Sequence, residues 1–115
     1  QLGDSPIGII IDPSHWGIIG YDLAAYINEI DERPFHIHLR DSAGSDTRDF
    51  KQNLEMTPGN GTVDFDKFRR ILVNSGRSFT ATLELEYRTN DEDYIGSEIT
   101  RGITYLKSCG FSFPT

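Results

Sequence analysis

Asp12 and His15 stand three residues apart, directly after the aliphatic run Ile7-Gly8-Ile9-Ile10-Ile11. Further on, His36 and His38 alternate with Phe35, Ile37 and Leu39, and Asp41 follows just beyond. A third segment, Phe79 to Glu86, alternates Ala81, Leu83 and Leu85 with Thr80, Thr82, Glu84 and Glu86. Carboxylates mixed with imidazoles are the donor set that Mn²⁺, Mg²⁺, Co²⁺ or Zn²⁺ takes, and such a site with open positions can polarise a substrate oxygen. Successive side chains of a strand point to opposite faces. The apolar residues of these segments therefore share one face, while two histidines and two glutamates share the other. Unpaired charge is too costly to bury as filler, so the polar face is either filled with solvent or a binding site.

The elements that must position these residues alternate regularly. Ile7 to Ile11 is β-branched and apolar, as a buried strand requires, and Asp12-Pro13 ends it. A helix is expected from about Tyr21 to Ile30, with Asp22 as its cap and Leu23, Tyr26, Ile27 and Ile30 as its apolar stripe. The second strand is Phe35 to Leu39. The polar stretch from Arg40 to Thr62 is long for a structureless loop in a compact domain, and loops of that length are usually functional. A second helix follows from Phe65 to Asn74, with Phe65, Phe68, Ile71 and Leu72 facing inward and Gly76 as its stop. The third strand is Phe79 to Glu86. The last helix runs from about Asp91 to Ser108 on a stripe of Ile95, Ile99, Ile103 and Leu106, with acidic residues in its first turn and Lys107 in its last. Strands separated by helices of this length pair in parallel through right-handed crossovers, which gives an α/β fold. Asp12, His38 and Glu84 then fall toward the carboxyl ends of parallel strands, where such folds gather their chemistry.

The 115 residues leave room for one globular unit, 1–115. Eleven Lys and Arg against eighteen Asp and Glu leave a net charge of −7, which argues against nucleic acid and against anionic membranes. No apolar run is long enough to span a membrane, and the N-terminal residues show no signal peptide. The one cysteine, Cys109, excludes an internal disulfide and a multi-cysteine metal site, and a reducing cytoplasm is the default location.

Four segments in order resemble the C-terminal part of the xylose isomerase-like TIM barrels, the superfamily of sugar isomerases and epimerases, inosose dehydratases and endonuclease IV (AP endonuclease family 2). They are Ile11-Asp12-Pro13-Ser14-His15, His36-Ile37-His38-Leu39-Arg40-Asp41, Pro58-Gly59-Asn60-Gly61-Thr62-Val63-Asp64-Phe65 and Thr82-Leu83-Glu84. The resemblance implies that the chain is the C-terminal three βα units of a (β/α)₈ TIM barrel, with helices on the outer face. It implies Asp12, His38 and Glu84 as ligands of a divalent metal, and His15 as a contact of substrate or metal. Glu84 would serve also as a proton-transfer partner, and the Pro58–Gly61 turn would shape the loop over the pocket. The family's further Glu ligand, from an earlier strand, has no match here. The implied activity is that of a metal-dependent sugar, sugar-acid or inositol-type isomerase or epimerase working by proton transfer beside a carbonyl. A lyase or dehydratase is the near alternative, and a non-catalytic truncated barrel or interaction module is the competing class. The fragment alone should be inactive, because remaining barrel segments or another chain must close its sheet.

Plainer readings stand beside several of these residues. Asp12-Pro13 is also a common turn opener. His36 reads as a satisfied polar residue on a wet sheet face, and Glu86 as a rim charge. Arg40, with Arg48, Lys51 and Arg88, could meet a phosphate on the substrate or be solvated loop charge. Trp16 could stack on a sugar face or cap the barrel mouth. Asn60-Gly61-Thr62 matches a glycosylation sequon but reads as a turn.

Overall fold

The computed structural model of the chain describes residues 8–14, 22–29, 35–43 and 56–114. Three strands form one parallel sheet: β1 (Ile9–Ile11), β2 (Phe35–Leu39) and β3 (Phe79–Leu83), in that spatial order. Ile11 is in register with Ile37, and His36 and His38 are in register with Thr80 and Thr82. Between and after them lie α1 (Leu23–Glu29), α2 (Phe65–Asn74) and α3 (Glu92–Ser108).

Local signals set the helix ends. The Asp22 carboxylate accepts the Ala25 N–H at 3.2 Å, Asp64 accepts that of Lys67 at 3.0 Å, and Asp91 that of Tyr94 at 3.1 Å. Each supplies one of the acceptors that a helix start lacks. At the end of α3, Gly110 takes a φ of +101°. The Phe111 N–H then reaches the Leu106 carbonyl and the Gly110 N–H that of Lys107, which is the Schellman closure that favours glycine here.

Ile11, Ile37 and Leu39 from the sheet pack with Ile27 of α1, Phe65, Phe68 and Leu72 of α2, and Leu106 of α3. One sheet face therefore carries all three helices. On the other face Ile10 is 63% exposed, beside the half-buried His36 and His38 and the exposed Thr80 and Thr82. The polar face expected from alternation is uncovered among the described residues.

Three details depart from the sequence pattern. Gly8, expected inside the first strand, lies outside β1, which begins at Ile9. β3 ends at Leu83 and not at Glu86: the Glu84 N–H makes one last bond to the Leu39 carbonyl, and β2 ends there. The buried stripe of α3 is Glu98, Gly102 and Leu106, with Ile99 40% exposed, so the helix is turned about one residue from the isoleucine stripe. Gly102 explains part of the turn, since a Cβ there would lie 3.2 Å from the Thr57 methyl, and its absence lets helix and loop approach. Among the described residues no helix is long and apolar enough to cross a membrane. Ile7, Tyr21, Ile30 and residues 44–55 lie outside the described residues.

Candidate metal centre

Asp12 follows β1 directly, His38 is the fourth residue of β2, and Glu84 follows β3. Parallel pairing in this register brings all three to one end of the sheet. One donor atom from each lies within 4.8 Å of the others. Asp12 is buried, while His38 and Glu84 are half-buried.

His38 Nδ1 lies 2.8 Å from Glu84 Oε2. That oxygen is buried, yet it makes no hydrogen bond among the described residues, so the close nitrogen is not aligned for one. An imidazole nitrogen and a carboxylate oxygen this close suit neighbouring ligands of one ion. An ion with donor distances of about 2.0–2.3 Å reaches donors up to roughly 4.6 Å apart on opposite sides, and the three donors here all lie within 4.8 Å of one another. Carboxylate oxygens with one imidazole nitrogen match the divalent cations named above. In donor type and spacing, these residues fit such a cation.

The neighbours hold the three in place. Oδ1 of Asp12 accepts the Ser14 N–H at 3.0 Å and its hydroxyl at 2.5 Å. Oδ2 accepts Nη2 of Arg40 at 3.0 Å. Arg40 is buried, and its Nη1 reaches Glu86 Oε1 at 2.9 Å and lies 3.8 Å from Glu84 Oε1. Burial pulls the guanidinium pKa down, but Asp12, Glu84 and Glu86 outweigh it and leave Arg40 above its ordinary value. Arg40 is thus not a solvated loop charge. His36 bonds to Thr80 at 2.6 Å through Nδ1 and to Thr82 at 2.9 Å through Nε2, so both ring nitrogens are engaged away from the cluster.

A family model of the xylose isomerase-like TIM barrels matches residues 1–109. The chain belongs to that family. No curated protein and no solved structure matches it at significant similarity. The family includes isomerases, epimerases and endonucleases and often binds divalent metals, so an enzymatic role suits the cluster.

Other residues shape the family loop. Asp41, fully buried, turns away from the cluster and accepts four backbone N–H groups: Ser42 and Val63 on Oδ1, Gly59 and Gly61 on Oδ2. Gly61 is required there, because a Cβ would fall 2.2 Å from the Ser42 carbonyl oxygen. Below the loop, Glu98 accepts Thr57 Oγ1 at 2.9 Å and is held by Arg101, while Thr57 also meets the Tyr87 hydroxyl. The hydrogen bonds from Arg101 hold the Glu98 carboxyl below the usual range against the opposing effect of burial. Spacing offered no signal for the Asp41 and Glu98 partnerships. Ser14 two residues after an aspartate is the ordinary sequence mark of the turn seen here. His15, Trp16, Arg48 and Lys51 lie outside the described residues.

Proposed function

We propose that the chain forms the last three βα units of a (β/α)₈ barrel and carries most of the ligand set of a divalent-metal-dependent sugar isomerase or epimerase. The observation that supports this is the convergence of Asp12, His38 and Glu84 at one end of the parallel sheet. That is the end at which barrel enzymes keep their chemistry. A Mn²⁺, Mg²⁺, Co²⁺ or Zn²⁺ ion held by the three would polarise an oxygen of a sugar or sugar derivative. Glu84 is our candidate for one proton-transfer partner at the adjacent carbon, because its carboxylate lies at the same strand end and has a second oxygen, Oε1, besides the one beside His38. His15 and Trp16, next to Asp12 in sequence, are assigned to the substrate.

The uncovered sheet face and the outer edges of β1 and β3 are assigned to remaining barrel segments or to another chain, which would also supply a further carboxylate ligand. Parallel edges left unpaired among the described residues, with an exposed Ile10, are otherwise invitations to aggregation. With a net charge of −7 we propose no nucleic-acid or membrane partner, and a cytoplasmic location.

The test is solvent exchange. The protein, loaded with Mn²⁺ and completed by its barrel partner, is incubated in D₂O with aldoses, ketoses and sugar acids, and proton NMR follows the carbon-bound hydrogens. Deuterium incorporation beside a carbonyl, lost in His38→Ala, is expected. Metal binding without exchange on any such compound would leave the interaction-module reading in its place.

A further inference from the structure

Arg40 is the one buried Lys or Arg among the described residues, at 5% exposure. Long cations ordinarily keep their heads in water, so this burial needs a cause. Its guanidinium spans the ends of all three strands: Nη2 hydrogen-bonds to Asp12 after β1, and Nη1 forms an ion pair with Glu86 beyond β3 at 2.9 Å and passes 3.8 Å from Glu84. Ser14 meanwhile holds the other oxygen of Asp12 through its N–H and hydroxyl. The Asp12 carboxylate is gripped on both oxygens, and neither rotation about its side-chain bonds nor withdrawal into solvent is open without breaking a buried pair.

We infer that Arg40 is a positioning residue of the metal centre, which orients Asp12 and draws the Glu84–Glu86 segment toward it, and that its fork does not serve to clamp an anionic group of the substrate. The inference rests on the metal-site reading of Asp12, His38 and Glu84. A planar fork can bridge two carboxylates in fixed geometry, whereas an ammonium is a point charge that cannot. Hydrogen-bonding partners of ligating carboxylates are typically worth 10–100-fold in metal affinity.

The experiment is a Co²⁺ titration of the full protein, read by the visible absorption of the bound ion and needing no turnover. Arg40→Lys keeps the charge and loses the fork, so it should weaken Co²⁺ binding by about 10–100-fold and alter the absorption bands. Glu86→Gln removes one fork partner at a side chain that is 59% exposed, where folding is not at risk. It should change both readouts in the same direction and by less. Wild-type affinity and bands in both variants would overturn the inference, as would tighter Co²⁺ binding in Arg40→Lys. If Arg40→Lys fails to fold, Glu86→Gln decides alone. Inorganic phosphate is the counter-probe: phosphate binding abolished by Arg40→Lys at unchanged Co²⁺ affinity would make Arg40 a substrate clamp. A wild type that binds no Co²⁺ would remove the metal-site reading and this inference together. Binding lost in His38→Ala but unchanged in the Arg40 and Glu86 variants would remove only this one.

Discussion

Replacing Asp41 by Asn keeps the volume and shape of a fully buried side chain, removes its charge and turns one of its two acceptor oxygens into a donor. In the native loop each carboxylate oxygen accepts two backbone N–H groups, at distances between 2.8 and 3.0 Å. An amide in either orientation turns its NH₂ toward one of these pairs, the Ser42 and Val63 donors or the Gly59 and Gly61 donors. Two hydrogen bonds to a charged acceptor are lost, each worth about 1.5–3 kcal/mol, which sums to roughly 3–6 kcal/mol. Gly59 and Asn60 are exposed, so the loop can turn some donors to water, and we expect a net destabilisation of about 2–4 kcal/mol. That is a large share of the roughly 5–15 kcal/mol by which a domain is stable. Denaturant unfolding without added metal measures it, with Asp64→Ala as reference, an exposed helix cap expected to cost about 1 kcal/mol. A cost for Asp41→Asn no larger than for Asp64→Ala would refute the claim that this carboxylate organises the loop.

Gly61→Ala should destabilise at least as strongly, because its Cβ meets the Ser42 carbonyl oxygen at 2.2 Å and Asp41 at 2.4 Å; denaturant midpoints check it against Gly96→Ala, where a Cβ has open space. His38→Ala should lower divalent-metal affinity by at least about the 10–100-fold that losing even a ligand's partner costs, whereas His36→Ala, with both ring nitrogens on threonines, should lower it far less. Isothermal titration with Mn²⁺ decides, and equal losses would mean the wrong histidine is assigned. Glu98 has a folded pKa below the unfolded value of about 4.3, so its stabilisation is complete above that pH and fades as pH falls through the folded value. The stability gap between wild type and Glu98→Gln should therefore narrow below about pH 4, and a gap that widens on acidification would contradict the assigned ion pair.

What the amino-acid sequence determined by itself is what neighbours in the chain decide. The period of two in Phe35–Leu39 and Phe79–Leu83 set the two faces, and the helical stripe of Phe65, Phe68 and Leu72 chose the inward side of α2. Asp22, Asp64 and Asp91 capped their helices because a cap acts over three residues. The family motifs named Asp12, His38 and Glu84 as a set, and parallel pairing in register was enough to bring them together. Tertiary structure alone decided the rest. Arg40 and Asp12 are 28 residues apart, Asp41 and its loop donors up to 22, and Glu98 and Thr57 41. At such separations nothing in local spacing tells a solvated charge from a buried one. Whether Arg40, Asp41 or Glu98 leaves water depends on a partner that arrives only when the sheet and the loop have closed around it, and an unpartnered charge would not go in. The same dependence on distant partners buries Glu98 and Gly102 of α3 where Ile99 stays exposed: Glu98 is satisfied by Arg101 and Thr57, and Gly102 lies against the loop at Thr57.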